Sequence, residues 1–391
     1  MAAAQPIAAS SRLALLDAIR GLALCGILFV NIIDMGGPIA MDRPLAPPSV
    51  ADPDWQIWTV MHLFLTGTMR GLFSLLFGVG LLLFLGDDPG TDRLRLMLRR
   101  LVLLLLFGIV NATLLLWPGD ILVTYALAGV LAVLCHRLKS SALFGLVLVT
   151  MLLLSIWGAL EAPGIRAADM VYSAPMLARE TAARLGSYGD TLAYMSRVSW
   201  VWANSGFLYV WLGDALLFML LGMALYRSGW FRPDARNGSV TWRLLAIGYG
   251  GGLSLRLLQL ALVLPDGGAP TTLTAFVDQP ARLLLTMGHL TLLRWLWRGG
   301  LQSGTAHVLG LMGRMPLTLY LSQSAIGAAI FSGFGLGYWN SLSWPQLWGV
   351  AVIILLAQAQ FARLWFAAFA YGPLEWAWRW GTYDARPRLR H

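Results

Sequence analysis

The chain has 391 residues, of which 58% are hydrophobic and only 12% charged, and its formal charge at neutral pH is +9. Soluble domains carry about a quarter charged residues, so this composition excludes an ordinary water-soluble globule. The positive balance does not point to nucleic acid, because the arginines sit in short segments between apolar runs, where they act as topology signals.

Main-chain polar groups in lipid must be satisfied within the segment, and apolar runs of about 20 residues do this as helices. The hydropathy pattern predicts an all-α, polytopic membrane bundle of about ten transmembrane helices. The spans are Leu13 to Ile33, Met69 to Leu85, Leu96 to Trp117, Ile121 to His136, Ala142 to Leu160, Ser205 to Tyr226, Leu244 to Leu264, Pro280 to Trp297, Val308 to Phe331 and Leu347 to Ala370. Asp17 and Arg20 interrupt the first run, which is also too long for a signal-peptide core, so it reads as an uncleaved span. Trp55 to Thr68 starts in a Pro/Asp-rich stretch and is expected to lie flat at the interface before the second span.

The fourth span opens after the turn Trp117-Pro118-Gly119-Asp120, with Asp120 expected as its N-cap. Glu161 to Asn204 is the longest non-membrane stretch and predicts a lid or short surface helices without a catalytic motif. Gly248 and Gly252, four apart in the seventh span, predict close helix packing. Cys25 and Cys135 fall inside spans and read as buried free thiols. No internal repeat divides the chain, which reads as a single membrane domain over 1–391.

Placing the basic residues orients the bundle. With the N-terminus inside, 17 arginines and lysines fall on the cytoplasmic side and 5 outside, the other 6 of 28 lying in or at the ends of spans. The inside group includes Arg12, Arg93, Arg95, Arg99, Arg100, Arg227, Arg232, Arg236 and Arg379; the outside group is Arg43, Arg166, Arg179, Arg184 and Arg197. Both termini are therefore expected in the cytoplasm, and the protein in the inner (cytoplasmic) membrane as a multi-pass chain.

A charge at bilayer depth costs about 2.5–3.5 kcal/mol or more, so each polar residue inside a span needs a reason. Asp17, Arg20, Asn31, Arg70, Asn111, Asp120, Asp214, Arg256, Arg282, His289, Arg314, Gln323, Gln358, Gln360 and Arg363 are such residues. Asp17 and Arg20 share a helix face, either as an ion pair fixing the helix end or as a cytoplasmic anion site. Tyr125, one turn beyond Asp120, is a pocket residue or an interface anchor. Arg314, read as opening the ninth span, opposes the helix dipole there, and a phosphate or carboxylate at that N-terminus would relieve the conflict; positive-inside anchoring is the other reading. No metal, Walker, dithiol or serine-hydrolase motif is present.

Leu16-Asp17-Ala18-Ile19-Arg20-Gly21 with Gly26, Val30 and Asn31 resembles the opening of the YeiB-like membrane proteins, a family named for a domain of unknown function (418). The likeness continues through Leu72 to Gly80, Gly119-Asp120-Ile121-Leu122 with Tyr125, Arg227 to Trp230, Gly313 to Thr318 with Tyr320 and Gln323, and Gly372 to Arg379. It thus forms an N-terminal block over 12–135 and a C-terminal block over 205–383, on either side of the external loop 161–204. The first block is also distantly similar to the first span of transmembrane acyltransferases and of heparan-α-glucosaminide N-acetyltransferases.

That second resemblance implies an acyl-CoA donor bound from the cytoplasm as cosubstrate, with no permanently bound cofactor, and a small-molecule, lipid or sugar acceptor. Arg20 and Arg314 become candidates for the donor phosphates, and Asp17, Asn31, Asn111, Asp120, Tyr125 and Gln323 for the rest of the site. Where the acyltransferases often carry histidine this chain has Asn31, as the heparan enzymes have asparagine, and where YeiB-like chains commonly carry a histidine it has Asn111. An asparagine is no base at neutral pH, so that role falls to His62. Ten spans with buried polar groups fit a second reading, an exporter of a small or amphiphilic solute. The partner in either case is the lipid bilayer; the oligomeric state is not encoded in any motif.

Overall fold

Long Leu/Ala/Val runs lose little rotamer freedom in a helix and satisfy their own main chain, and the protein follows them closely. The computed structural model describes residues 14–39, 43–44, 48–86, 89–164, 173–231, 238–264, 270–298 and 304–390, so Arg12, Arg166, Arg232 and Arg236 of the topology reading lie outside the described residues. The helices are α1 (Ala14–Gly36), α2 (Pro53–Val60), α3 (Thr68–Leu85), α4 (Thr91–Ala112), α5 (Leu122–Leu134), α6 (Ser140–Glu161), α7 (Ala174–Arg184), α8 (Tyr188–Ala203), α9 (Gly206–Arg227), α10 (Gly238–Leu245), α11 (Gly252–Val263), α12 (Thr272–Arg298), α13 (Gly304–Arg314), α14 (Pro316–Phe331), α15 (Trp344–Ala368) and α16 (Pro373–Tyr383). Among the described residues there is no strand, only one isolated bridge between Phe369 and Arg390.

Six helical segments are long and apolar enough to cross a bilayer: Ala14–Gly36, Pro53–Leu85, Ser140–Gly164, Leu208–Arg227, Val240–Val263 and Trp344–Ala368. Leu122–Leu134 and Pro316–Phe331 are apolar but shorter. Glycines set the tightest contacts. A Cβ on Gly313 would collide with the carbonyl of Asp17, and one on Gly21 with that of Leu309, so α1 and α13 touch backbone to backbone. Gly78 and Gly222 do the same for α3 and α9, and Gly248 and Gly252 meet Gly288 and Leu285 of α12, the close packing read from their spacing.

Three expectations need correction. The segment from Trp55 does not lie apart at the interface: Trp55 and Trp58 are buried with Leu260, and a π-helical turn over Met61–Leu65 leads into α3. Gly67, in the left-handed region at φ 78°, makes the bend. The eighth helix begins at Thr272, not Pro280, and so carries Asp278 and Gln279 inside it. The ninth span is two helices broken at Met315, because Pro316 has no N–H and disfavours a helical predecessor. Arg314 therefore ends α13 instead of opening a helix, where its charge agrees with the dipole.

Candidate functional site

Two cavities lie along α3, one by its C-terminal half and one at its start.

The first has a volume of about 230 Å³. Phe73, Leu76, Phe77, Leu81 and Phe84 of α3 and Leu101 and Leu104 of α4 form apolar walls, and Arg20, Arg100, Arg314 and Arg379 bring four guanidiniums to it against one carboxylate, Glu375. Arg20 pairs with Asp17 at 2.6 Å, as their spacing allows, and also donates to the Gly313 carbonyl at 3.1 Å. Arg100 is sandwiched, 4.2 Å from the Trp378 ring and 4.9 Å from that of Phe84. Arg314 lies 4.1 Å over Phe366 and donates to the Ala370 carbonyl at 3.3 Å. Arg379 lies 4.6 Å over Tyr371. Aromatic faces hold a guanidinium in place without cancelling its charge.

The helix N-terminus at the Met315 break does carry an anion, but the chain supplies it. Glu375 accepts from the Leu317 and Thr318 N–H groups at 2.7 and 3.0 Å and from the Thr318 hydroxyl at 2.6 Å. α16, which bears Glu375, Trp378 and Arg379, forms part of the cavity wall. Trp378 Nε1 donates to the Arg100 carbonyl at 2.9 Å, and Asp384 pairs with Arg99 at 2.9 Å.

Tyr125 and Tyr320 also line this cavity. The Tyr320 hydroxyl accepts from Ile121 N at 3.2 Å, while the Tyr125 hydroxyl bonds Ser74 Oγ at 2.7 Å and the Arg70 carbonyl at 3.1 Å. Asp120 and Asn111 stand behind that wall: Asn111 Nδ2 donates to Asp120 Oδ1 at 2.8 Å, and Asp120 Oδ2 accepts from Val123 N at 2.8 Å as a helix cap does. Asn31 lines neither cavity. Gln323 is occupied with Gln358 of α15 at 3.0 Å, a helix-to-helix contact outside both.

The second cavity, of about 360 Å³, holds His62, which is therefore not beside Arg20 and Arg314. His62 stacks on Trp58 with ring centroids 5.1 Å apart, and its Nε2 is buried without a hydrogen-bond partner. Asp278 and Arg282 of its lining belong to a ladder of charge. Asp214, with no exposed surface, takes Arg70 at 2.8 Å and Arg282 at 3.2 Å; Arg282 reaches Asp278 at 3.0 Å; Asp278 takes Arg256 at 2.7 Å. Arg256 Nη2 donates to the Thr66 carbonyl at 3.1 Å, and Gln259 donates to the Thr274 carbonyl at 2.7 Å. The ladder's arginines and Asp214 are visible in the sequence as intramembrane charges. Asp278 is missed because hydropathy starts its helix at Pro280, two residues past Asp278, and Arg100, Glu375 and Arg379 because they sit at helix ends where charge is ordinary.

Long apolar helices that enclose paired and stacked charges define a multi-pass helical membrane protein. The chain belongs to the YeiB family: residues 225–385 match the family model described as "Protein of unknown function (DUF418)". The chain is 30% identical over 387 residues to the "Uncharacterized protein YeiB" of Escherichia coli (strain K12), spanning 93% of this chain and 94% of that one. It is 29% identical over 412 residues to the "Uncharacterized protein YxaH" of Bacillus subtilis (strain 168), covering 98% and 97%. An "Uncharacterized 39.9 kDa protein in amylase 3'region" of Bacillus acidopullulyticus is 25% identical over 397 residues, covering 97% and 96%. No solved structure matches the chain. The family match takes in Arg314, Glu375 and Arg379 of the first cavity and Gln259, Asp278 and Arg282 of the second.

Proposed function

We propose that the first cavity binds an anionic amphiphile of the acyl-CoA type from the cytoplasm, and that the protein transfers its acyl group to an acceptor. The observation that carries the binding half is the placement of four arginines against one carboxylate on a cavity with mostly apolar walls, which suits phosphates joined to a hydrocarbon chain. The arginine bias puts this cavity on the inner side, with both termini in the cytoplasm. Counting α4, α5, α12 and the α13–α14 pair with the six long segments gives ten crossings in the cytoplasmic membrane.

The transfer half rests on the resemblance of the first helix to acyltransferases. The acceptor's O–H or N–H attacks the thioester carbon, the C–S bond breaks, a base takes the acceptor's proton and the thiolate leaves to be protonated. His62 serves as that base only where the acyl carbon is reached from the second cavity. The single domain over 1–391 supplies both cavities.

The test is thermal denaturation of purified protein with octanoyl-CoA, which raises the midpoint in proportion to RT ln(1 + [L]/Kd). No shift with octanoyl-CoA or free CoA overturns the binding half. His62→Ala with binding retained and turnover lost supports the base assignment; retained turnover rejects it. An exporter is the second reading, favoured by the polar chain from Tyr125 through Ser74, Arg70, Asp214 and Arg282 that joins the cavities. In proteoliposomes, a labelled acyl chain found across the bilayer unmodified identifies export; one bonded to an acceptor identifies transfer.

A further inference from the structure

We infer that the cavity at the start of α3 is a separate binding site for a small organic acid that also carries a hydroxyl or N–H group. This holds whatever the arginine cavity binds.

Charge comes first. The ladder joining Arg70, Asp214, Arg282, Asp278 and Arg256 contains three guanidiniums and two carboxylates, a surplus of one positive charge. Arg256 is 1% exposed and Asp214 fully buried, and the side chains of Arg282, Arg70 and Asp278 are 17%, 24% and 27% exposed, so water screens this surplus only in part. Arg282, the middle rung, lines the cavity together with its partner Asp278 and with Arg43, and a single carboxylate arriving at Arg282 balances the ladder. Gly67 leaves Arg282 its place: a Cβ on it would come within 2.5 Å of the Arg282 Nε.

Hydrogen bonding supplies the second requirement. Gln279 lines the cavity at 5% exposure, and its Oε1 is buried with no partner; His62 Nε2 is likewise unpartnered. A buried amide oxygen left unsatisfied is costly, and a ligand hydroxyl or N–H satisfies it. The acid group alone offers no such donor at neutral pH, which is why the ligand needs a second polar group. Trp55, Trp58 and Trp157 give the body of the ligand flat apolar surface, and the volume of about 360 Å³ is in the small-molecule range.

Mandelate, 3-hydroxybutyrate and N-acetylglycine are the probes, each compared with its neutral carboxamide, by calorimetry and thermal denaturation of the full-length protein. At least one acid is expected to bind and stabilise, its amide to bind at least tenfold more weakly, and phenylacetate, which lacks the hydroxyl, more weakly than mandelate. Gln279→Leu should weaken the acid at least tenfold while leaving the response to octanoyl-CoA unchanged. Arg282→Gln should abolish acid binding, but it also takes one of two arginine partners from each of Asp214 and Asp278, so Gln279→Leu is the deciding variant. Failure of all three acids, equal binding of acid and amide, or an unchanged Gln279→Leu overturns the inference. So does a response confined to inorganic phosphate or to phosphatidylglycerol vesicles. Loss of octanoyl-CoA binding with acid binding intact would instead strike the function proposed for the other cavity.

Discussion

The two cavities hold their arginines by different means. In the first, Arg100, Arg314 and Arg379 lie on the faces of Trp378, Phe366 and Tyr371. At the second, Arg282 lines the cavity and is fixed by Asp214 and Asp278, which also hold Arg70 and Arg256 behind it. A π face restrains a guanidinium without itself supplying a countercharge, whereas a carboxylate restrains and neutralises together. The first arrangement suits a ligand with several negative charges, the second a ligand with one.

The comparison breaks most visibly at Asp214. Replacing it by alanine leaves Arg70 and Arg282 facing each other in a buried site, and loss of one partner from such a set costs about 3–5 kcal/mol. A large fall in the thermal midpoint is expected; a midpoint near the parent's would show that the ladder is solvated. Next in size are Arg314→Gln and Arg100→Gln, each expected to remove about 1.5–3 kcal/mol of octanoyl-CoA affinity with little change in stability. Calorimetry checks this, and equal losses from Arg256→Gln would erase the distinction between the cavities. Glu375→Ala uncaps α14 and should lower stability by about 0.5–2 kcal/mol, read from denaturation in detergent.

The smallest effect belongs to the exposed pair at the end of α16. Arg99 donates to Asp384 and holds its carboxyl below the usual value. A depressed carboxylate stabilises the fold at pH above its unfolded value of about 4 and loses that contribution as pH falls through the folded one. Protease cleavage after α16 should therefore rise on acidification in the parent and be insensitive to that step in Asp384→Asn.

What the sequence made legible were the features that depend on near neighbours. Apolar runs define the helices, three-residue spacing pairs Asp17 with Arg20, and Asp120 caps the turn before α5. Asp278 and Arg282 share a helix face at a spacing of four, but the other rungs of the ladder lie 22 to 144 residues apart, and no periodicity says which buried arginine meets which carboxylate there. Arg314 shows the limit from the other side. The sequence expects an anion at the adjoining helix N-terminus, and one is there, but it is Glu375, 58 residues on from Leu317. Hydropathy also runs straight over Met315, since a break between two apolar helices changes no residue's polarity.

The backbone contact of α1 with α13 has a kinematic consequence. Sliding of one helix over another proceeds by side chains exchanging rotamers, and at Gly21 and Gly313 there are none to exchange. The two helices therefore travel as one body, with Arg20 tied to the Gly313 carbonyl as a strut across them. Any gate to the arginine cavity must then be cut elsewhere in its wall. The parts with a joint of their own are α14, articulated at Met315, and α16, articulated at Gly372, and Glu375 latches one to the other.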